Sequence, residues 1–211
     1  MFKILLFTLF SFTLVFAGFQ AELSNITPKV KKRMLEGKSW KRGCPIPLKD
    51  LRYLKLTHLD FKGQDKTGEL IVHKSVANDV VDIFEALYSI GYPVNKMKLV
   101  SDYKANDWQS IENGNTSAFN CRQATGSKKW SKHSYGKAID INPIENPYIA
   151  RSGRISHKAS EKYRKRVHKK DTYADRAVLL KNDKATKIFE KYGWKWGGDW
   201  SGVKDYQHFS K

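Results

Sequence analysis

Apolar side chains between residues 75 and 90 fall at Val76, Val80, Ile83, Phe84 and Leu87, with Asn78, Asp79, Asp82 and Glu85 in the gaps. That spacing predicts an amphipathic helix over 75–90, stopped by Gly91 and Pro93. A shorter helix is predicted from Thr186 to Tyr192, where Ala185, Ile188, Phe189 and Tyr192 share a side and Gly193 ends it. A basic helix is predicted over Pro28–Leu35. The run G-E-L-I-V-H at 68–73 has the character of a strand. Lys98–Ser101 and Ala138–Ile141 read as further short strands, the latter followed by a turn at Asn142–Pro143. Leu51–Phe61 carries Leu51, Tyr53, Leu54, Leu56 and Leu59 with mixed spacing and opens the globular core. Asn106–Lys129 is polar and rich in Gly, Asn and Ser, as a loop is. The aromatic, glycine-dense block at 194–209 should end in a strand. Strands and helices mix without a βαβ rhythm, so the expected class is α+β, a small mixed or antiparallel sheet with flanking helices.

The first residues add a targeting expectation. Met1–Ala17 places Lys3 before an apolar run that closes on small residues, with Val15 and Ala17 suited to positions −3 and −1 of a signal-peptidase site. An anchor helix needs about 20 apolar residues to cross a bilayer, more than this run offers. Residues 1–17 are therefore expected to be a signal peptide, and the protein to be exported to the periplasm or the extracellular wall. Residues 18–69 then read as a loosely structured N-terminal lead-in, and 70–211 as the main domain. In an oxidising compartment Cys44 and Cys121 are expected to pair, pinning the N-terminal segment to the middle of the chain.

Composition narrows the partner. The 211 residues are 40% hydrophobic and 28% charged, which suits a globular core. Lys and Arg number 39 against 21 Asp and Glu, giving +18 and a pI near 9.8. That balance points to a polyanionic partner and disfavours an ordinary acidic cytosolic enzyme. The stretch 151–171 concentrates the cations, including Arg151, Arg154, Lys158, Arg164 and Arg166. It is expected to be a solvated helix or loop drawn to an anionic cell-wall or membrane surface. No nucleic-acid motif is visible, so no nucleic-acid partner is expected. The protein is expected to be a monomer.

Two local clusters carry candidate chemistry: S-K-H-S-Y-G-K-A-I-D at 131–140 and D-Y-Q-H at 205–208. A hydrolytic zinc site needs three His or carboxylate ligands and one open position, and His133, Asp140 and His208 supply such a set. Gly136 permits the tight turn between the first two. Asp205 lies three residues before His208, where a non-ligand carboxylate can serve as a general base. Spacing alone leaves unrelated surface side chains as the other reading, since His and Asp are common. His58, His73, His157 and His168 lack such context and read as structural or surface histidines. Trp194, Trp196 and Trp200 read as core and site wall rather than a sugar platform.

The first cluster matches S-x-H-x-x-G-x-A-x-D position for position, and W-G-G-D-W followed by D-Y-Q-H-F resembles a C-terminal signature of the same group. On these residues the chain resembles the D-alanyl-D-alanine carboxypeptidase and L-alanyl-D-glutamate endopeptidase family of zinc peptidases, from about Leu70 to Phe209. The resemblance implies a hedgehog/D,D-peptidase-like fold, with 70–211 as the zinc peptidase domain. It implies Zn2+ held by His133, Asp140 and His208, with Asp205 as base and Ser131 on the substrate side. Lys104, in V-S-D-Y-K, stands where the family often has an oxyanion-stabilising arginine, and Arg122 is a second anion-binding candidate. The implied substrate is a peptidoglycan stem peptide. The Asp base and the W-G-G-D-W block tilt the expectation to an L-alanyl-D-glutamate-type endopeptidase, with D-alanyl-D-alanine carboxypeptidase as the alternative. Two rival readings are a non-catalytic basic module binding cell wall or nucleic acid, and a fold that keeps its metal without hydrolysis.

Overall fold

The computed structural model describes residues 18–211; the expected signal peptide, 1–17, lies outside them. Strand β1 (Ala21–Asn25) leads into helix α1 (Pro28–Glu36). Thr27 caps α1 by accepting from Val30 N at 3.3 Å, Pro28 opens it, and Val30 and Met34 form its buried face. The long hairpin β2 (Leu51–Leu59) and β3 (Asp65–His73) pairs from Leu51↔His73 to Leu59↔Asp65, and β1 adds to the outer edge of β2.

The mixed spacing of 51–59 has a structural cause. Leu54 and Leu56 face α2 (Ala77–Ser89) and the main core, whereas Leu51 and Tyr53 face α1 and the Cys44 loop. A strand buried on both faces shows no polar alternation to betray its period. The expected loose lead-in is therefore corrected. Residues 21–59 form two strands and a helix that close one side of the sheet, and residue 70, where the main domain was expected to begin, lies inside β3. An Arg33 guanidinium reinforces that side, reaching both Glu69 oxygens at 2.6 Å and Asp102 at 2.7 and 2.5 Å, while Tyr53 donates to Glu69.

Beyond α2, which is entered through a 3-10 turn at Lys74–Val76, the expected strand 98–101 is absent. Strand β4 (Lys96–Met97) ends before it, and Val100–Tyr103 is a 3-10 turn closed by Lys104 at φ 55°. The expected loop 106–129 contains α3 (Asp107–Glu112) and β5 (Asn115–Thr116), the latter parallel to β4. Next come β6 (Ala138–Asp140) and β7 (Tyr148–Ile149). The basic stretch is an exposed 3-10 turn (Lys158–Tyr163) with irregular flanks, followed by α4 (Tyr173–Arg176). Helix α5 (Lys184–Lys191) and strands β8 (Lys195–Trp196), β9 (Lys204–Asp205) and β10 (His208–Ser210) complete the α+β fold.

The second sheet runs β6-β10-β8, antiparallel throughout. Phe209 at its centre stacks on Phe189 of α5 with ring centroids 3.8 Å apart, and Ile139 and Trp194 are buried beside them. One apolar cluster joins these residues to Leu54, Leu70 and Phe84, so both sheets share a core. Cys44 and Cys121 form a disulfide across 77 positions.

Candidate metal centre

The centre begins at a turn. In the 3-10 turn Lys132–Tyr135, Ser131 is the cap and its hydroxyl accepts from His133 N at 3.3 Å. Gly136 then takes φ 65°, and a Cβ there would stand 2.6 Å from His73 N and 3.0 Å from Val72 C, both backbone atoms of β3. Only glycine allows that turn to lie flat on the first sheet, where Gly136 O accepts from His73 N at 2.9 Å. The turn delivers the chain into β6, whose last residue is Asp140.

Register does the rest. Antiparallel pairing sets His208 opposite Asp140, and directly paired residues project from the same face. Asp140 Oδ2 lies 3.2 Å from His133 Nε2, and Oδ1 lies 2.9 Å from His208 Nδ1. One ligand atom from each residue falls within 4.8 Å of the others, and all three side chains are largely buried. His133 Nδ1 donates to Ala118 O at 2.6 Å, which fixes the tautomer and leaves the Nε2 lone pair facing inward. Two imidazoles and a carboxylate at these separations fit the N/O donor set and the coordination radius of a four-coordinate zinc with one position left open.

Charge within the cluster is mutually dependent. Burial alone would raise Asp140, but His133 and His208 outweigh it and hold the carboxyl well below the usual range. Burial alone would lower His133, and Asp140 overcomes that to raise it. Asp205 behaves oppositely. Burial and then the Asp140 charge push its carboxyl up to about 6, against the opposing pull of His208 and His133. Its Oδ1 is buried without a hydrogen-bond partner. That oxygen is held next to the cluster and spent on no structural bond, while a Gln207 side-chain hydrogen bond steadies the carboxyl.

The backbone around Asp205 explains part of the W-G-G-D-W block. Strand β9 pairs with β7, Tyr148 opposite Asp205. On the other side a Cβ at Gly197 would stand 2.5 Å from Asp205 O and 3.0 Å from its Cβ. Trp200 packs against His208 with ring centroids 5.3 Å apart and is 37% exposed, as a wall residue is, whereas Trp194 and Trp196 are buried.

The two expected cations part company. Lys104 is exposed at the end of the 100–103 turn, and the ion pairs of the cluster do not include it. Arg122 stands nearer. Its guanidinium pairs with Asp107 of α3 and donates to Gln123 O at 3.1 Å, and its charge disfavours protonation of His133. Asp107, which also accepts from Asn120 at 2.7 Å, and Ala118 were not legible as site supports, because they act through a carboxylate and a main-chain oxygen outside any motif. Of the remaining histidines, His58 is buried against Leu59 O, His73 caps the 74–76 turn, His157 pairs with Glu112 and His168 is exposed near Asp175.

Residues 125–211 match the family model described as D-alanyl-D-alanine carboxypeptidase. That family comprises zinc-dependent peptidases, and the matched stretch contains Ser131, His133, Asp140, Asp205 and His208. Lys104, Arg122, Ala118 and both cysteines lie outside it. No curated protein and no solved structure matches the chain.

Proposed function

We propose that the protein is an exported zinc peptidase that hydrolyses an amide bond in peptidoglycan stem peptides, of the L-alanyl-D-glutamate endopeptidase type. The observation that carries this is a buried carboxylate, Asp205, whose Oδ1 has no hydrogen-bond partner, beside a converged His133–Asp140–His208 set. When bound, zinc supplies a Lewis acid that polarises the scissile carbonyl and acidifies water toward a pKa of about 7. His133, Asp140 and His208 hold it. Asp140 stays ionised between two imidazoles, and the Ala118 carbonyl keeps the His133 ring aimed.

Asp205 takes a proton from the attacking water as the new C–O bond forms. It returns that proton to the departing amine nitrogen as the C–N bond breaks. A carboxyl already raised to about 6 suits both directions of transfer near neutrality. Trp200 shields the His208 side from solvent. Arg122 binds a substrate carboxylate or steadies the developing oxyanion.

The Met1–Ala17 pattern supports export, and the exposed cations of 151–171 favour retention on an anionic wall or membrane surface. The description of the matching family favours a second reading, removal of a terminal D-alanine. Digestion of purified peptidoglycan, with and without chelator and beside His208→Ala, tests both through fragment masses. Separated stem fragments mean endopeptidase, and loss of single alanines means carboxypeptidase. A folded, zinc-loaded protein that releases nothing from several wall chemistries refutes catalysis.

A further inference from the structure

Arg166 belongs to the basic stretch, but its side chain is drawn inward. Nη1 donates to Glu145 O at 2.6 Å and to Tyr163 O at 3.2 Å, and Nη2 donates to Asn146 Oδ1 at 2.6 Å and to Leu179 O at 2.9 Å. Every acceptor is neutral. Nε is buried without a partner, and the guanidinium lies over the Tyr206 ring at 4.5 Å. Among the described residues no carboxylate is within ion-pair distance. Asp183 is committed to Leu180 N and Thr186 N, and the Glu145 carboxyl, raised to about 7 by burial, is only partly ionised near neutrality. Burial correspondingly depresses Arg166 to about 10. A largely desolvated cation without an anion is costly to keep.

Arg166 is among the residues lining a cavity of about 420 Å³, together with Lys181, Lys204, Asp199, Tyr206 and Trp196, to which its buried guanidinium contributes charge rather than free donors. Lys204 Nζ gives one bond to Gly198 O at 3.0 Å and keeps further donors free. Lys181 pairs with Asp199 at 3.1 Å in an exposed position. Three cations against one carboxylate leave an excess of two positive charges, which matches a phosphate monoester at about −1.5 to −2 better than a single carboxylate. The indole and phenol provide an apolar wall for an organic substituent, and the volume exceeds what a bare phosphate fills. Lys204 precedes Asp205 on β9, and successive strand residues face opposite sides. The cavity is thus separated from the metal centre by the strand that carries Asp205.

We propose that this cavity is an anion-binding exosite for a phosphate dianion, carried as a monoester. Two-dimensional 1H–15N NMR of the full exported chain, titrated with glycerol 1-phosphate, inorganic phosphate and acetate at constant ionic strength, tests it. Saturable shifts are expected at the Trp196 indole and the Lys204 and Tyr206 amides with both phosphates, tighter with the ester, and at least tenfold weaker with acetate. The shifts persist after chelation and weaken at least tenfold in Lys181→Gln/Lys204→Gln, in which glutamine at 204 keeps a donor for Gly198 O and an unchanged 1H–15N spectrum away from the cavity shows the fold is intact. Tighter binding of inorganic phosphate upholds the site and assigns it the free anion. Equal response to acetate, loss of binding on chelation, or an unaffected double variant overturns the exosite. None of these results depends on peptidase activity.

Discussion

Removing the Cys44–Cys121 bond should lower stability by about 4.5 kcal/mol. The bond closes a loop of 77 positions, and the chain-entropy relation gives roughly 15 cal/mol/K for a loop of that length, or about 4.5 kcal/mol at 25 °C. Cys121 is buried, and its N–H donates to Ser39 O at 2.9 Å. Trp40, Ile46 and Phe119 pack around the bond, so the native segment should stay in place once it forms and the loss should fall mainly on the unfolded chain. Alanine at both positions avoids burying a new hydroxyl. Urea unfolding of Cys44→Ala/Cys121→Ala should show a midpoint shift equivalent to about 3–5 kcal/mol, and heating a fall in Tm of roughly 10–15 °C. Wild-type protein unfolded in reductant should coincide with the variant. If mass spectrometry confirms the bond in wild type and the loss is below about 1 kcal/mol, loop closure does not stabilise this fold and the reasoning fails.

Gly197→Ala places a methyl group 2.5 Å from Asp205 O, so β9 must move; turnover on peptidoglycan should fall roughly 10–100-fold with zinc content unchanged, and unchanged turnover would remove Asp205 from the mechanism. Asp205→Asn should cost at least about 100-fold in turnover. It should also reshape the stability of the metal-free protein. The Asp205 carboxyl is raised in the fold to about 6, so its contribution is fully present below about pH 4 and lost as pH rises through 6. The variant should gain on the order of 2 kcal/mol over wild type between pH 4 and pH 8, and parallel pH–stability curves would contradict the buried carboxylate. Arg33→Ala strands Glu69 and Asp102 together and should cost roughly 2–3 kcal/mol in urea unfolding; a change under about 0.5 kcal/mol would mean the network is ornamental.

Helix α2 was legible because its burial is one-sided: Val80, Ile83, Phe84 and Leu87 reveal it through their spacing alone. Strand β2 was not, since α1 covers one face and α2 the other, and a doubly covered strand loses its alternation. Strand β1 owes its existence to an edge offered by β2 from 35 positions away, Ala21 against Leu56, which no local pattern announces. Lys98–Ser101 has strand-like composition, yet the chain turns there because Arg33 of α1 captures Asp102 and the backbone must bring it within reach.

The sequence by itself determined the chemical inventory. It placed two imidazoles and two carboxylates in short blocks, put a glycine where a left-handed turn is required, and set two cysteines to pair. Tertiary structure decided how these groups meet. The β6·β10 register sets His208 against Asp140, the Ala118 carbonyl selects the free nitrogen of His133, and Asp107 holds Arg122 by an ion pair. The reason is range. Capping, turn geometry and periodicity are settled within a few residues, whereas ligand geometry, charge coupling and cation choice depend on partners brought together only when both sheets close on one core.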